Sequence, residues 1–307
     1  LKKMKKGMIV SNKQSSNNKI MDILSKSKLE SVKNYLDKVR THAMIILHKS
    51  DIIFQYGDIT NTSYIASMRK SILAILYGMY DIDLTKTLEE LNIDDKEGLT
   101  SLEKTTTIED LMTARSGIYH PASNTGDNNK PKRGTKKPGE YWIYNNWDFN
   151  VLGTIFKQET GVNIYDALDN LGKQIGFEDF DLKFNKDKYN ERKKVKSKSI
   201  HPPYHMHISA RDLSKIGLLM LNNGSCKGKQ IVPKKWIKKI TSFVTSSSEV
   251  TKIEPHTKDI GYGYMWWLYD KKSTDNFEGA YSAWGAVAQR IYVIQKLDIV
   301  IVMKKTK

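Results

Sequence analysis

Ser67-Met68-Arg69-Lys70 sets a serine and a lysine three residues apart. On a helix such a pair shares one face, with Cβ atoms about 5–6 Å apart. A serine hydroxyl is a poor nucleophile until a base takes its proton, and a lysine held beside it can take that role or lower the hydroxyl's pKa. The helix N-terminus adds an amide that can face an oxyanion. The spacing alone is cheap in a lysine-rich chain. Ser25-Lys-Ser-Lys28 repeats it, and Ser50-Asp-Ile-Ile53 misses only the last place. Context separates them: only Ser67 follows a strand pair and an irregular stretch, and only Ser67 begins an apolar helix.

Tyr144-Asn145-Asn146 follows Pro138-Gly139 and precedes a helix beginning at Trp147. A tyrosine at the end of a loop can project its phenol into a cleft. Beside an ammonium its pKa falls from about 10, which makes a phenolate base accessible. Asn146 has a second reading as the N-cap of that helix. A third candidate is Ala283-Trp284-Gly285-Ala286, just before the strand Arg290–Ile294. Small residues at the edge of a strand let a substrate backbone approach closely. A Gly turn feeding the strand explains the same residues.

Other residues point to chemistry less directly. His201, His205 and His207 share a Pro-containing loop, but their spacing matches no compact zinc motif and no acidic ligand is close in sequence. No metal or organic cofactor is expected. Tyr119-His120 reads either as a cleft border or as a surface loop. Trp266-Trp267 in a strand would send one ring to the core and the other to a pocket wall. Cys226 is the single cysteine, which excludes an internal disulfide and multi-thiolate zinc sites.

The elements that would position these groups follow from periodicity. Residues 1–40 read as a polar arm leading into one helix, with Ile20, Ile23, Leu24, Leu29, Val32 and Tyr35 as its weak apolar stripe. Ala43–Leu47 and Ile52–Tyr56, joined by Lys49-Ser50-Asp51, form a hairpin pattern. Arg290–Ile294 and Ile299–Val302 repeat it near the other end. Strand pairs at both ends with helices between imply one antiparallel sheet assembled from the two. Met68, Ile72, Leu73, Leu76, Tyr77 and Tyr80 have helical spacing. The join Tyr80-Asp81-Ile82-Asp83 passes from helix to extended chain with no turn residue, as though residues were omitted there. Thr107–Asp110 reads as a capping box with Gly117 as the helix stop. Trp147 to Phe156 forms a stripe ending at Gly161, and Ser209–Asp212 caps a helix that Gly224 closes. The polar, Gly/Pro/Lys-rich segments 120–139 and 181–207 read as loops. The predicted division is 1–40 as arm and helix, 41–80 with 240–307 as the sheet region, and 81–239 as a mainly helical subdomain.

Of the 307 residues, 39% are hydrophobic and 27% charged, which fits a folded globular chain and not a disordered one. Net charge is 50 − 34 = +16. The lysines are scattered and no nucleic-acid-binding signature is present. The basic balance reads as a solvated surface first and as contact with an anionic cell envelope second. The basic start Leu1–Lys6 lacks the apolar core of a signal peptide, and a chain beginning with Leu reads as already cut by processing or cloning.

Three patterns in the order S-x-x-K, Y-x-N and a small-residue strand resemble the motifs of the β-lactamase and penicillin-binding-protein superfamily of serine hydrolases. The likeness is nearest to the branch with class C β-lactamases, DD-peptidases, their esterase relatives and the 6-aminohexanoate-dimer hydrolases. Ile108–Gly117, Tyr144–Gly153, Met206–Asp212 and Gly261–Trp267 also look like segments of that family, in family order. The resemblance spans about residues 40–303. It implies an α+β fold, an antiparallel sheet of N- and C-terminal strands flanked by helices with an inserted helical subdomain. It implies Ser67 as nucleophile, Lys70 as its partner, Tyr144 as base and acid, and Asn146 orienting Lys70 and substrate. The oxyanion donors would be the amides of Ser67 and Ala286, with Val287 the alternative to Ala286. An extracytoplasmic setting is implied as well. Antibiotic-active members carry Lys or His, then Ser or Thr, then Gly in the third motif. This chain has Ala283, Trp284 and Gly285, and Ala288 where Gly is usual. The cation and hydroxyl that hold a β-lactam carboxylate are missing, Trp284 offers a bulky wall, and Ala288 should tighten the site. Arg290 or Gln289 are the substitutes that could anchor a carboxylate. The expected substrates are esters, small amides or peptide-like molecules. β-Lactam or peptide hydrolysis and non-catalytic envelope binding are the alternatives.

Overall fold

Alternating apolar residues at the two ends of the chain do form one sheet. The computed structural model describes residues 26–124, 130–193, 197–270 and 277–305. The chain runs α1 (Lys26–Lys38), β1 (Ala43–His48), β2 (Asp51–Gly57), β3 (Ser63–Tyr64), α2 (Met68–Met79), α3 (Ser101–Lys104), α4 (Ile108–Met112) and α5 (Asn146–Thr160). It continues through α6 (Ile164–Ile175), α7 (Leu182–Lys193), β4 (His207–Ile208), α8 (Ala210–Leu221), β5 (Ser225–Cys226), β6 (Lys229–Gln230), α9 (Lys234–Ile240) and α10 (Ser247–Ile253). The last strands are β7 (Ile260–Tyr262), β8 (Trp267–Tyr269), β9 (Tyr281–Gly285), β10 (Gln289–Ile294) and β11 (Ile299–Lys304). Seven strands pair antiparallel in the order β2-β1-β11-β10-β9-β8-β7. The fold is α+β, as expected.

Strand alternation gives the sheet two apolar faces. Ala43, Ile45, Leu47, Ile291, Val293, Val300 and Val302 are buried on one side. Each large aliphatic side chain fully buried there contributes about 1.5–3 kcal/mol. α8 packs on this face at close range. A Cβ on Gly217 would meet Val300 Cγ1 at 2.4 Å and Ile291 Cγ2 at 3.2 Å. α8 therefore rests on the sheet although it falls inside the 81–239 range. α1 covers the other face, where Leu29 and Leu36 pack with Phe54 and Tyr56. Val32 and Tyr35 belong to the exposed side of that helix, and Ile20, Ile23 and Leu24 lie outside the described residues.

Several local expectations change. The segment 181–207 is not all loop, because it contains α7. Asp181 caps this helix by accepting from Phe184 N at 2.8 Å, and Lys183 pairs with Asp187 at i,i+4. Its surface is polar nearly all round, so no apolar period announces it, but residues 182–193 hold neither Gly nor Pro. The box of Thr107 and Asp110 forms, yet α4 ends at Thr113 and not at Gly117. The Tyr80–Asp83 join is an ordinary helix end in which Asp81 takes φ 49° and Ile82 N bonds back to Tyr77 O at 3.3 Å. No helix among the described residues is long and apolar enough to cross a membrane.

Candidate active site

Ser67 stands at a sharp entry to α2. Ile65 N donates to Met206 O at 3.0 Å, which ties the chain beside the β3–β4 ribbon. Ala66 then takes φ 50°, a left-handed conformation that an alanine adopts only under constraint. Ser67 already has helical angles, φ −75° and ψ −8°, and its hydroxyl makes no capping bond. The side chain is thus presented at a helix start without being spent on the helix. From Met68 to Gly78 every residue of α2 is buried, which holds the element rigid. Tyr77 donates to Leu152 O at 2.7 Å and fastens α2 to α5.

Lys70 lies one turn after Ser67 and is 1% exposed. Its Nζ donates to Tyr144 Oη and to Asn146 Oδ1, both at 2.6 Å. The ammonium also sits 4.0 Å from the Tyr144 ring centre and 4.3 Å from that of Phe149. Burying a cation is costly unless donors are satisfied and the surroundings are polarisable, and these two oxygens and two ring faces supply that.

The loop that delivers Tyr144 is held by the residues after α4. Arg115 O accepts from Gly139 N at 2.8 Å, and Ala114 O accepts from Ile143 N at 3.0 Å. Gly117 is required for this approach, because a Cβ there would lie 2.9 Å from Lys136 O and φ is 71°. Asn145, not Asn146, is the N-cap of α5, accepting from Trp147 N at 3.2 Å. Its amide donates to Ile118 O and to Asp148 Oδ1, and Ser116 Oγ donates to the same carboxylate oxygen. The capping role expected of Asn146 thus belongs to its neighbour, and Asn146 is left to bind Lys70.

The third motif is strand β9 itself and not the edge of the sheet, since β8 and β7 lie beyond it. It nevertheless has a locally open side. β8 pairs with β9 only at Trp267↔Ser282 and Leu268↔Tyr281, so the ladder stops before Ala283. The open end abuts the turn before Ser67: a Cβ on Gly285 would lie 2.6 Å from Ile65 O and 3.4 Å from Ala66 Cβ. Ala286 follows directly in the exposed turn. Ala288 is also exposed there, with φ 62°.

The wall beside Tyr144 is a column of stacked groups. Tyr144 stacks on Trp267 at 5.7 Å, Trp267 on Trp284 at 4.4 Å, and the Arg290 guanidinium carbon lies 4.2 Å from the Trp284 ring centre. Trp284 Nε1 donates to Ser282 Oγ at 2.6 Å. Ser71 Oγ donates to Met265 O at 2.6 Å, so α2 grips the chain just before β8. Burial pulls the Arg290 guanidinium below its usual pKa. Trp266 faces the core against Tyr281, so the two adjacent tryptophans divide as alternation predicts. Arg290 and Ser71 carry no local sequence signal for these roles, because both contacts need the strand register.

The remaining candidates have contacts of their own. His201 is buried between Asp94 O at 2.8 Å and Thr154 Oγ1 at 3.0 Å, and burial lowers its pKa. His205 and His207 pack around Tyr64, at 4.7 and 5.8 Å between ring centres. Tyr119 and His120 are buried, with His120 against Trp147. Cys226 is half-buried in β5.

The family model of the Beta-lactamase family matches residues 64–306. A curated relative, an uncharacterized protein of Alkalihalophilus pseudofirmus, is 27% identical over 158 residues, 47% of this chain and 44% of the relative. The matched region is thus less than half the length of that relative. Among solved structures, a protein described as a candidate 6-aminohexanoate-dimer hydrolase from Bacillus anthracis aligns at TM-score 0.65 and 21% identity, covering 89% of this chain and 76% of that one. A class C β-lactamase from Rhodobacter sphaeroides aligns at TM-score 0.63 and 13% identity, covering 92% and 95%. At such identities the structures speak for the fold, and the match across 64–306 speaks for the lineage: the chain belongs to the Beta-lactamase family.

Proposed function

We propose that the protein is a serine hydrolase that forms an acyl-enzyme on Ser67 and releases it with water, acting on esters or small amides. The observation that carries this reading is the buried Lys70 ammonium bonded at 2.6 Å to both Tyr144 Oη and Asn146 Oδ1, one helical turn from Ser67. A positive charge at that distance favours negative charge on the phenol oxygen. The Ser67 proton passes to Tyr144, and Oγ attacks the substrate carbonyl. The oxyanion faces the amides of Ser67 and Ala286, and Tyr144 returns the proton to the leaving group. Water then repeats the cycle against the acyl-enzyme. Ala286 is favoured over Val287 because it directly follows Gly285, which touches the turn before Ser67. Asn146 orients Lys70 and borders the substrate.

Neutral substrates fit the third motif best. Ala283 is fully buried and Trp284 is sandwiched by Trp267 and Arg290, so neither offers a carboxylate anchor. The structural likeness to a 6-aminohexanoate-dimer hydrolase accords with a small linear amide. An extracytoplasmic setting, with the basic surface toward an anionic envelope, completes the proposal. The test is labelling by a fluorophosphonate together with p-nitrophenyl ester turnover. Wild type should gain an adduct on Ser67 and turn over the ester. Ser67→Ala should lose both and keep its melting temperature. Full turnover by the purified alanine variant would remove Ser67 from the mechanism.

A further inference from the structure

Arg290 donates through a single Nη1 to two backbone carbonyls, Gly285 O at 2.9 Å and Gln289 O at 2.8 Å. The other face of its group is occupied by the Trp284 ring. Among the described residues no carboxylate forms an ion pair with it. The Gly285 carbonyl belongs to the same peptide unit as the Ala286 N–H, the second oxyanion donor of the proposed mechanism. That unit is planar and trans, so fixing the direction of its C=O fixes the N–H to point the opposite way. A cationic donor on the carbonyl also polarises the unit and makes its N–H a stronger donor. On the other side of the same residue, Gln289 Nε2 lies 3.4 Å from Ala286 O. The turn needs such fixing, because Val287 and Ala288 take φ 63° and 62°, which side chains resist.

We infer that Arg290 is a positioning residue for the oxyanion site, orienting and polarising the Gly285–Ala286 peptide instead of anchoring a substrate carboxylate. The inference rests on the acyl-enzyme reading above. It makes a charge in the strand hairpin part of the catalytic apparatus without its touching substrate.

Arg290→Gln and Arg290→Lys test it, with p-nitrophenyl butyrate as substrate and phenylboronic acid as a probe that forms a tetrahedral adduct on Ser67. Removing one oxyanion donor outright lowers kcat by about 10²–10³, so weakening one should lower it by about ten- to thirtyfold. KM should stay within about twofold, since the ground-state carbonyl gains little from this amide. The boronate inhibition constant should rise in Arg290→Gln by the same factor as kcat falls. Arg290→Lys should recover part of both, because an ammonium can still bond Gly285 O. Unchanged kcat and boronate affinity in Arg290→Gln would overturn the inference and leave the acyl-enzyme reading intact. So would a loss that lysine does not rescue and that leaves boronate affinity untouched, since that marks a structural role only. A wild type inert to both fluorophosphonate and ester would overturn both.

Discussion

Gly285 stands so close to Ile65 that a methyl group on it would lie 2.6 Å from the Ile65 carbonyl oxygen. The strand carrying the third motif and the turn before Ser67 therefore touch backbone to backbone. Gly285→Ala must push them apart. Overpacking of this kind costs about 1–3 kcal/mol of stability. Displacing one half of a reacting site by about 1 Å costs about 10²-fold in rate. We expect ester kcat/KM to fall by that order while the protein still melts cooperatively. Near-wild-type kinetics in the alanine variant would show that the two backbones need not be in contact.

Lys70 and Tyr144 share one short hydrogen bond and, in the proposed mechanism, one proton. Lys70→Ala and Tyr144→Phe should each remove most of the ester activity. The double variant should lose far less than the product of the single losses, because groups acting as a unit are not additive. Multiplicative losses, measured under the same kcat/KM conditions, would assign the two side chains separate tasks.

Trp284 and Ala283 set the expectation for β-lactams. A charge-assisted hydrogen bond to the substrate carboxylate is worth about 1.5–3 kcal/mol, or about 10- to 150-fold in the specificity constant. Neither residue can supply it, and Arg290 is engaged with Gly285 O and Gln289 O. Short p-nitrophenyl esters should exceed nitrocefin in kcat/KM by at least that factor. A nitrocefin constant equal to the best ester would point to another anchor and to a β-lactamase.

Lys304 gives a pH dependence unrelated to catalysis. It is 1% exposed, and its Nζ donates to Ser63 O at 3.2 Å and to Ile208 O. Burial pushes its amine down to about 7 from 10.5. Across the window between these values the unfolded chain binds more protons than the folded one, so this group makes stability rise with pH. Below the folded value both states are protonated and the penalty is complete. Wild type should therefore gain in Tm relative to Lys304→Met between about pH 7 and pH 9. A difference in Tm that stays flat over that range would mean that the folded protein keeps this lysine charged.

Much of the site was legible because its parts sit where local patterns change. Ser67 opens an apolar helix, Tyr144 ends a loop, and Gly285 ends a short strand; each position has a chain-local reason. Alternation also separated Trp266 from Trp267 correctly. What stayed hidden depends on register or on a neighbour. Asn145 and Asn146 are the same residue type, and only the helix phase decides which caps α5 and which meets Lys70. The grip of Arg290 on Gly285 requires the pairing Arg290↔Trp284. Gly117 has the look of a helix stop in the sequence, whereas a close approach by Lys136 O is what demands a glycine. α7 gives no signal in the sequence because a polar helix held by an Asp181 cap and by ion pairs has no apolar stripe.

β11 is the last of the described strands but lies inside the sheet, between β1 and β10. During synthesis, β1 and β2 emerge early and wait for a partner more than two hundred residues later in the sequence: Ala43 pairs with Lys304 and His48 with Ile299. Closing so long a loop before its contacts are rewarded slows folding. Until that closure, the face of β1 is an unpaired apolar edge, a template for association with other chains. The turn before Ser67 is likewise made more than two hundred residues ahead of β9, which meets it at Gly285. Hydrolytic competence should thus appear late, only after β9, β10 and β11 have been made and paired.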